Sequence, residues 1–352
     1  MRRPVVAVDA APALRAGRTG TELVAWELCR RLPAQAPDLD FRFFAPVQGD
    51  GQIQVTRLPA RRLFSQLRLP RELWRDRPDL VFAPAHVVPF LTPGRAVTIV
   101  HDLAFERHPE AYSPGARTYL RLTTRWAERR CRLLITPSEA TRQDLLDLHG
   151  VDPRRVVTVH PGGGEPAPEL DRGEVRERLA RLGVRGPYVL QVGRVEPKKR
   201  PQLALRAAER LGGPRLVVAG ATTDPALAER LRQSAACTVL GRVSDEDRDA
   251  LYQEAAAVVV PSLYEGFGFP LLEAMRRGAP VVAAATSSLP EVGGDAALYV
   301  NDPADAAAFA EVLSQAIGQR SERVRLGRAR AAHFTWDGFT SGVASVLRAA
   351  LA

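Results

Sequence analysis

The stretch AAAVVVPSLYEGFGFPLLEAMRRG (255–278) decides the fold of this chain. Its first part, AAAVVVPS (255–262), is short, apolar and rich in valine, which is typical of a buried parallel strand. Its second part, FPLLEAMRRG (269–278), has Pro270 near its beginning and predicts a helix. The stretch therefore predicts a strand, a glycine-containing loop and a helix, which is the repeating unit of parallel α/β domains.

Two glutamates lie eight positions apart in this stretch: Glu265 follows the predicted strand, and Glu273 lies about one turn into the predicted helix. Carboxylates accept hydrogen bonds from sugar hydroxyls, and the N–H groups of a helix N-terminus attract phosphate oxygens. An ordinary turn with two solvated glutamates would show the same spacing, but here the strand, the glycines and the helix agree around it. We therefore predict that both carboxylates face one crevice, with Glu265 on a sugar and Glu273 on a ribose.

Apolar strand candidates alternate with helical runs on both sides of a segment rich in glycine and proline, GGGEPAPELDRGE (162–174). Strands are predicted at 5–9, 41–46, 80–84, 96–102, 133–138 and 155–161 before this segment, and at 188–193, 215–220, 238–241, 257–262, 280–285 and 297–300 after it. Prominent helical runs are predicted at 21–32, 115–131 and 334–351. Two such blocks predict an α/β protein with two Rossmann-like domains that face a cleft, with ligands at the carboxyl ends of the strands.

Five stretches of the chain, in order, resemble the retaining glycosyltransferases of family 4, which have the two-domain GT-B fold. They are VDAAPALRAGRTGTELVAWELCRRL (8–32), VTIVHDLAFERHPEAYS (97–113), LLITPSEATRQDLLDLHGVDPRRVVTVHPGG (133–163), YVLQVGRVEPKKR (188–200) and the glutamate stretch PSLYEGFGFPLLEAM (261–275). The resemblance implies an acceptor-binding domain at 1–165 that includes the last helix at 336–352, and a donor-binding domain at 166–335. It also implies transfer of a hexosyl unit with retention, and the glutamate stretch is most similar to members that use GDP-mannose.

The resemblance assigns roles to individual residues of this chain. Arg194 and Lys199 match the positions that bind the donor diphosphate, where two cations neutralise the charge of the leaving group. A solvated charge run is the alternative interpretation of the cluster that contains Lys199. The implied donor-binding residues are Gly20, Gly193, Arg194, Lys199, Arg242, Val243, Glu265, Gly266, Phe267, Gly268, Phe269 and Glu273, and the implied catalytic residues are His101, Arg194, Lys199 and Glu265.

His101 and Asp102 end a predicted strand, and the matching histidine of the family lies near the transferred sugar and the acceptor. A strand-end histidine that is satisfied by the backbone is the alternative. Gly20 matches a glycine loop near the donor phosphates, although a simple helix start would look the same. Arg242 and Val243 match a loop that frames the nucleotide base; Ser244, which follows them, is explained by helix capping alone.

Two features of the sequence argue against a resident cofactor. We find no Asp-x-Asp-type pair in a suitable loop, so we expect a metal-independent reaction without a cofactor. The resemblance implies that the nucleotide sugar is the substrate and that a glycan or lipid-linked molecule is the acceptor. A phosphorylase that uses pyridoxal phosphate would need a longer chain and a Schiff-base lysine signature. The alternative from another class is a non-catalytic GT-B protein that binds nucleotide sugars or glycans. Nucleic-acid binding rests on charge alone, and no nucleic-acid motif is present.

The chain has 352 residues, of which 45% are hydrophobic and 25% charged, as in ordinary globular proteins of one or two domains. Its apolar runs are too short for a transmembrane helix. The three cysteines, Cys29, Cys131 and Cys237, lie far apart and favour a reducing compartment. We therefore expect a cytoplasmic protein, with the inner face of the membrane as a further location.

The formal net charge is +9, and the densest basic stretch is RLPARRLFSQLRLPRELWRDR (57–77). It holds seven arginines interleaved with leucine, phenylalanine and tryptophan, a composition that suits contact with anionic lipid. The alternative is a surface helix that buries Leu73 and Trp74 in the core and leaves its arginines solvated. Peripheral membrane contact through 57–77 is thus a hypothesis at this stage.

Overall fold

Two parallel β-sheets organise the chain, one in each of two units, Met1–Gly162 with Trp336–Ala352 and Gly163–Thr335. The structure is a computed structural model, and it describes residues 2–60 and 64–352. The central strands of both sheets are short apolar runs, rich in valine, leucine, isoleucine and alanine, whose side chains are buried, as parallel sheets covered by helices require.

The sheet of the first unit has seven strands in the order β3-β2-β1-β4-β5-β6-β7. The strands are β1 Val5–Asp9, β2 Asp40–Ala45, β3 Thr56–Arg57, β4 Leu80–Ala83, β5 Arg95–Ile99, β6 Leu133–Thr136 and β7 Val156–Thr158. The helices are α1 Gly20–Gln35, α2 Leu69–Asp76, α3 Ala104–Arg107, α4 Pro114–Arg130 and α5 Glu139–His149. Strand β3 is the one strand that we did not predict, because it has only two residues and both are exposed.

The sheet of the second unit has six strands in the order β10-β9-β8-β11-β12-β13. The strands are β8 Tyr188–Val192, β9 Arg215–Ala219, β10 Cys237–Gly241, β11 Ala257–Val260, β12 Val281–Ala284 and β13 Leu298–Val300. The helices are α6 Arg172–Arg181, α7 Pro201–Leu211, α8 Pro225–Arg232, α9 Asp245–Glu254, α10 Phe269–Arg276, α11 Leu289–Gly293, α12 Ala306–Gly318 and α13 Arg320–Ala331. The predicted α/β class with two Rossmann-like domains is confirmed.

The last helix, α14 (Trp336–Leu351), belongs to the first unit although it follows the second unit in the chain. It packs on α1 and on strands β4, β5 and β6. Its buried face carries Trp336, Phe339, Val343 and Leu347 at the three- and four-residue spacing of an amphipathic helix. The first unit is therefore completed by a segment that lies far away in sequence.

The three cysteines are buried and unpaired. Burial raises the pKa of the Cys131 thiol to about 12 and that of Cys237 to about 11. Thiols in such surroundings stay protonated at neutral pH and behave as small apolar side chains.

Candidate active site

In the second unit, the chain order reverses between the neighbouring strands β8 and β11. The chain runs outward from β8 through β9 and β10 and then returns to the other side of β8. In open parallel sheets, ligands bind outside the carboxyl ends of the strands at such a reversal. The loop after β8 contains Lys199, and the loop after β11 contains Glu265, so topology alone brings these two predicted residues to the same place.

Lys199 and Glu265 form an ion pair at this point. The lysine Nζ lies 2.5 Å from Oε1 and 2.6 Å from Oε2 of the carboxylate. Both side chains are largely buried, at 15% and 11% exposure, so water screens the pair less than it would at the surface. The carbonyl oxygen of Lys199 accepts a hydrogen bond of 2.7 Å from the amide of buried Gln191 on β8. The main chain of Lys199 is thus bound to the sheet through Gln191, and its ammonium group is bound to Glu265.

Hydroxyl groups surround Glu265. The Ser262 hydroxyl donates to its Oε1 at 2.7 Å. Its main-chain N–H donates to Ser287 Oγ at 2.8 Å, and its carbonyl oxygen accepts from Ser288 Oγ at 2.9 Å. In addition, Thr286 Oγ1 donates to the carbonyl oxygen of Ser262 at 2.8 Å. The loop after β12 therefore holds the loop after β11 through three consecutive hydroxyl residues.

Gly193 follows β8 and makes a close backbone contact. Gly193 has φ of 144°, and a Cβ atom placed on Gly220, the residue after β9, would lie 1.9 Å from the carbonyl oxygen of Gly193. Only glycine fits at position 220, where the main chain after β9 approaches the main chain after β8. The next residue, Arg194, is exposed, and within residues 2–60 and 64–352 its guanidinium has no hydrogen bond or ion pair. Arg194 is therefore a cation that is available to a ligand.

Gly268 precedes α10 with φ of 104°, in the left-handed region that glycine tolerates best. Pro270 lies in the first turn of this helix, as predicted, and α10 ends at Arg276. Gly266, Phe267 and Phe269 belong to the same turn, and the rings of Phe267 and Phe269 pack edge to face at 5.2 Å. These residues deliver the chain from Glu265 to the helix that carries Glu273.

Glu273 contacts α9 rather than open solvent. The buried Tyr252 hydroxyl donates to Glu273 Oε2 at 2.9 Å, and Arg248 Nε lies 3.6 Å from the same oxygen. Burial and the neighbouring carboxylate raise the pKa of the Tyr252 phenol, so the phenol stays protonated and donates. Burial opposes the charge of Arg248, but Glu273 raises the pKa of that guanidinium.

The loop before α9 contains Arg242, which is exposed, and Val243, which packs on the core of the second unit. Ser244 caps α9 by accepting a hydrogen bond of 3.1 Å from the N–H of Asp247, as predicted. Since α9 also supplies the partners of Glu273, the helix connects the predicted base-binding loop with the predicted ribose-binding carboxylate.

In the first unit, the chain order reverses between β1 and β4, and His101 follows β5, the strand beside β4. His101 is half-buried, and its Nε2 lies 2.8 Å from the carbonyl oxygen of Pro84, which follows β4. Burial lowers the pKa of His101, which favours a neutral ring that donates from Nε2 to this oxygen. Asp102 accepts a hydrogen bond of 3.1 Å from the N–H of Ala104, the first residue of the short helix α3. The backbone contact that the alternative interpretation of His101 required is therefore present.

Gly20 is the first residue of α1, and Gly17 before it has φ of 64°. Glu22 turns back toward the start of this helix, where its Oε2 accepts a hydrogen bond of 3.1 Å from the N–H of Thr19. Burial acts to raise the pKa of Glu22, but the bonds from Thr19 outweigh it, and the pKa is lowered. The helix start that we predicted as a phosphate site thus carries a carboxylate of its own.

The segment 57–77 is partly helical, and Arg61, Arg62 and Leu63 within it lie outside the described residues. A π-helical turn at Phe64–Arg68 leads into α2, whose residue Leu73 is buried. Trp74 is 55% exposed, however, so burial of both Leu73 and Trp74 was wrong as an alternative. Among the described residues, no helix combines the length and the apolar character that crossing a membrane requires.

Several residues of the candidate site escaped the sequence analysis. Ser287 and Ser288 are absent from the site residues that we predicted, as are Gln191, Tyr252 and Arg248. The available signal was the run TSS (286–288) directly after a predicted strand, because polar residues at the carboxyl end of a parallel strand lie where ligands bind.

Comparison with known families gives two matches that together span most of the chain. The family described as "Glycosyltransferase Family 4" matches residues 18–162, and the family described as "Glycosyl transferases group 1" matches residues 178–333. Each match lies within one of the two units.

Similar proteins agree with these matches. The O-antigen chain mannosyltransferase B of Escherichia coli is 32% identical over 292 residues, which cover 77% of this chain and 75% of that protein. A D-inositol 3-phosphate glycosyltransferase of Mycobacterium avium is 35% identical over 239 residues, 62% of this chain, and the chain spans only 55% of that protein.

Solved structures show the same fold at low identity. A glycosyltransferase from Rickettsia africae has a TM-score of 0.77 with 15% identity, over 100% of this chain and 99% of that one. The Anabaena protein Alr3699/HepE, solved with UDP and glucose, has a TM-score of 0.75 with 19% identity, over 99% of this chain and 100% of that one. Taken with the family matches and the 32% identity to the Escherichia coli protein, these likenesses show that the chain belongs to the family 4 glycosyltransferases and has the GT-B fold.

Proposed function

We propose that this glycosyltransferase moves a hexosyl unit from a nucleoside diphosphate sugar to an acceptor hydroxyl with retention, in the biosynthesis of a glycan, polysaccharide or glycolipid. The observation that carries the proposal is the Lys199–Glu265 pair at the β8–β11 reversal. It sets a cation for a diphosphate beside a carboxylate for sugar hydroxyls. Mannose from GDP-mannose is the first choice of donor, because the Escherichia coli relative is a mannosyltransferase.

In this proposal, Lys199 and Arg194 neutralise the diphosphate as its negative charge grows during bond cleavage. The bond between the sugar C1 and the phosphate oxygen breaks while the acceptor oxygen bonds to C1 on the same face. The acceptor proton passes to the leaving phosphate oxygen, which needs no protein nucleophile. Glu265 orients the sugar hydroxyls, Glu273 binds the ribose, and Arg242 with Val243 borders the base. His101 binds a hydroxyl of the sugar or the acceptor.

We further propose that the reaction needs no metal ion. Arg194, Lys199 and the N-terminus of α10 are the positive groups that would stabilise the leaving diphosphate in place of a divalent cation. No resident cofactor is part of this proposal, in which the nucleotide sugar is the substrate.

The proposal is tested by incubating the chain with a panel of GDP-, UDP-, dTDP- and ADP-sugars in excess EDTA. We expect release of the matching nucleoside diphosphate from one donor, even without acceptor, through slow transfer to water. Binding of a nucleotide sugar without any release would favour the non-catalytic alternative. Activity that EDTA abolishes and magnesium or manganese restores would contradict metal independence.

We also propose that the first unit contacts an anionic membrane through a surface centred on α2. Leu67 and Trp74 are 65% and 55% exposed, and Leu91, at 66%, lies next to Trp74, whose indole N–H donates to its carbonyl oxygen at 2.9 Å. Exposed Arg71 lies one helical turn from both Trp74 and exposed Arg75 on α2. Apolar side chains beside arginines suit a lipid interface, since each basic residue adds about 1 kcal/mol near anionic lipid.

Vesicle co-sedimentation tests this surface. We expect binding to anionic vesicles at low salt, weaker binding when Leu67 and Trp74 are both changed to Ser, and weaker binding again at high salt. The matched control is Val47→Ser, which removes an exposed apolar side chain from another part of the unit. Binding that is the same for the double variant and its parent would exclude this face as the membrane contact.

A further inference from the structure

We propose that Ser287 and Ser288 are positioning residues for the transfer reaction, which act by fixing the main chain of Glu265. The inference rests on the proposed function of Glu265 and extends it to the loop after β12. Strands β11 and β12 are paired neighbours, so the loops that follow them emerge side by side. The two serines belong to the second loop, and in the sequence they lie more than twenty residues after Glu265.

The contacts are specific for the main chain on both sides of one residue. The N–H of Glu265 donates to Ser287 Oγ at 2.8 Å, and its carbonyl oxygen accepts from Ser288 Oγ at 2.9 Å. Ser288 is fully buried and Ser287 is half-buried. With both peptide groups held, only the torsions of the side chain remain to move the carboxylate.

Ser287 holds its place at a conformational cost. Its φ is 45°, in the left-handed region that residues with a Cβ atom avoid. Such strain persists where the surrounding structure demands it, and it is enriched at functional sites. A glycine would adopt this conformation without strain but could not accept the hydrogen bond from Glu265. A serine at this position therefore destabilises the backbone locally, but it makes a hydrogen bond with the main chain of Glu265.

The geometry also explains why the carboxylate needs such a support. One oxygen accepts from Ser262, and both oxygens contact Lys199, so the carboxylate is held by groups that a bound donor would compete with. When Lys199 turns to a diphosphate, the carboxylate loses its cation and must stay in place for the sugar. The serines keep the main chain still through that exchange, because neither of them contacts the carboxylate.

The test is Ser287→Gly, which removes the hydroxyl and the strain together. We expect a melting temperature equal to or above that of the parent, unchanged affinity for GDP and UDP, and a three- to tenfold lower kcat for transfer, roughly the worth of one hydrogen bond. Ser288→Ala is the second variant, and we expect the same separation of kcat from nucleoside diphosphate affinity. Ser288→Thr keeps the donor and should restore part of the kcat.

Arg77→Gly is the matched control, because Arg77 also has φ of 45° but belongs to the first unit, which does not contain these loops. It should raise stability and leave kcat unchanged. Parental kcat in both Ser287→Gly and Ser288→Ala would overturn the inference, as would losses of kcat that follow losses of melting temperature. If the parent itself releases no nucleoside diphosphate from any donor, the proposed function fails instead, and the two failures are therefore distinct.

Discussion

The carboxyl ends of β11 and β12 in the second unit differ from those of β4 and β5 in the first unit in how they hold their polar side chains. In the second unit, a charged carboxylate is bound by a lysine, and its main chain is bound by serines. In the first unit, two histidines are bound by uncharged partners: His101 by the carbonyl oxygen of Pro84 at 2.8 Å, and His86 by Thr124 Oγ1 at 2.5 Å.

Burial lowers the pKa of both histidines, that of His86 to about 4, so both imidazole rings are neutral at physiological pH. The two units therefore differ in the charge of these polar groups. At these strand ends the second unit has the charged Lys199–Glu265 pair, whereas the first unit has two neutral imidazoles, a type of group that can hydrogen-bond hydroxyls. Three substitutions test the two sides of this comparison.

The largest effect is expected from Glu265→Gln, which keeps the size of the side chain and removes its charge. We expect kcat to fall by about 100-fold or more, the usual range for loss of one electrostatic contact in a transition state. The affinity for nucleoside diphosphate should change little, because we propose that Arg194 and Lys199 bind the diphosphate. Steady-state kinetics and calorimetry with GDP and UDP measure the two quantities, and Glu196→Gln is the control for a nearby carboxylate. Full turnover of Glu265→Gln would remove this residue from its proposed role.

A smaller effect is expected from Lys199→Ala. Loss of a charge-assisted hydrogen bond should weaken nucleoside diphosphate binding by about 1.5–3 kcal/mol, while binding of the nucleoside stays the same. Lys198→Ala is a matched control, because it removes the neighbouring lysine, whose Nζ lies 3.7 Å from Oε1 of Glu196. If the two variants bind the diphosphate equally well, the charged side of the comparison is wrong.

The smallest effect concerns the first unit and its stability. The folded state keeps His86 neutral down to about pH 4, whereas the unfolded chain protonates it near pH 6.5, so the unfolded state binds more protons between these values. Stability should therefore fall, by on the order of 2 kcal/mol, as the pH drops from 6.5 to 4. The charges of His101, Asp102 and His149 also affect the pKa of His86: the two histidines lower it and Asp102 raises it.

His86→Asn should reduce this pH dependence, because asparagine tolerates the φ of 71° at this position and does not titrate. All four tryptophans, at 26, 74, 126 and 336, lie in the first unit, so their fluorescence reports its unfolding separately. An unchanged pH dependence in the variant would show that another group titrates there.

The sequence predicted most strands correctly because buried parallel strands are short apolar runs with clear ends, as in AVVV (257–260). It also predicted that Glu265 follows a strand and that Glu273 lies within a helix. These are local properties, which neighbouring residues determine.

The contacts of the site could not be predicted in the same way. Lys199 and Glu265 are 66 residues apart, and Ser287 is 22 residues from the N–H that it binds, so both contacts depend on strand order. The left-handed conformation of His86 has no signal in a sequence such as PAHVVP (84–89). The positions of Arg194, His101 and Gly20 are now described, but their roles in binding stay predictions.

The position of helix α14 at the end of the first unit affects the order in which the two units can fold during synthesis. A ribosome completes Gly163–Thr335 before it synthesises Trp336, so the second unit can fold while the first unit still lacks its last helix. Until then, the surface of α1 and of strands β4, β5 and β6 that α14 covers remains open on the nascent chain. The first unit is therefore the first to begin synthesis, but it can complete its core only after α14 has been made.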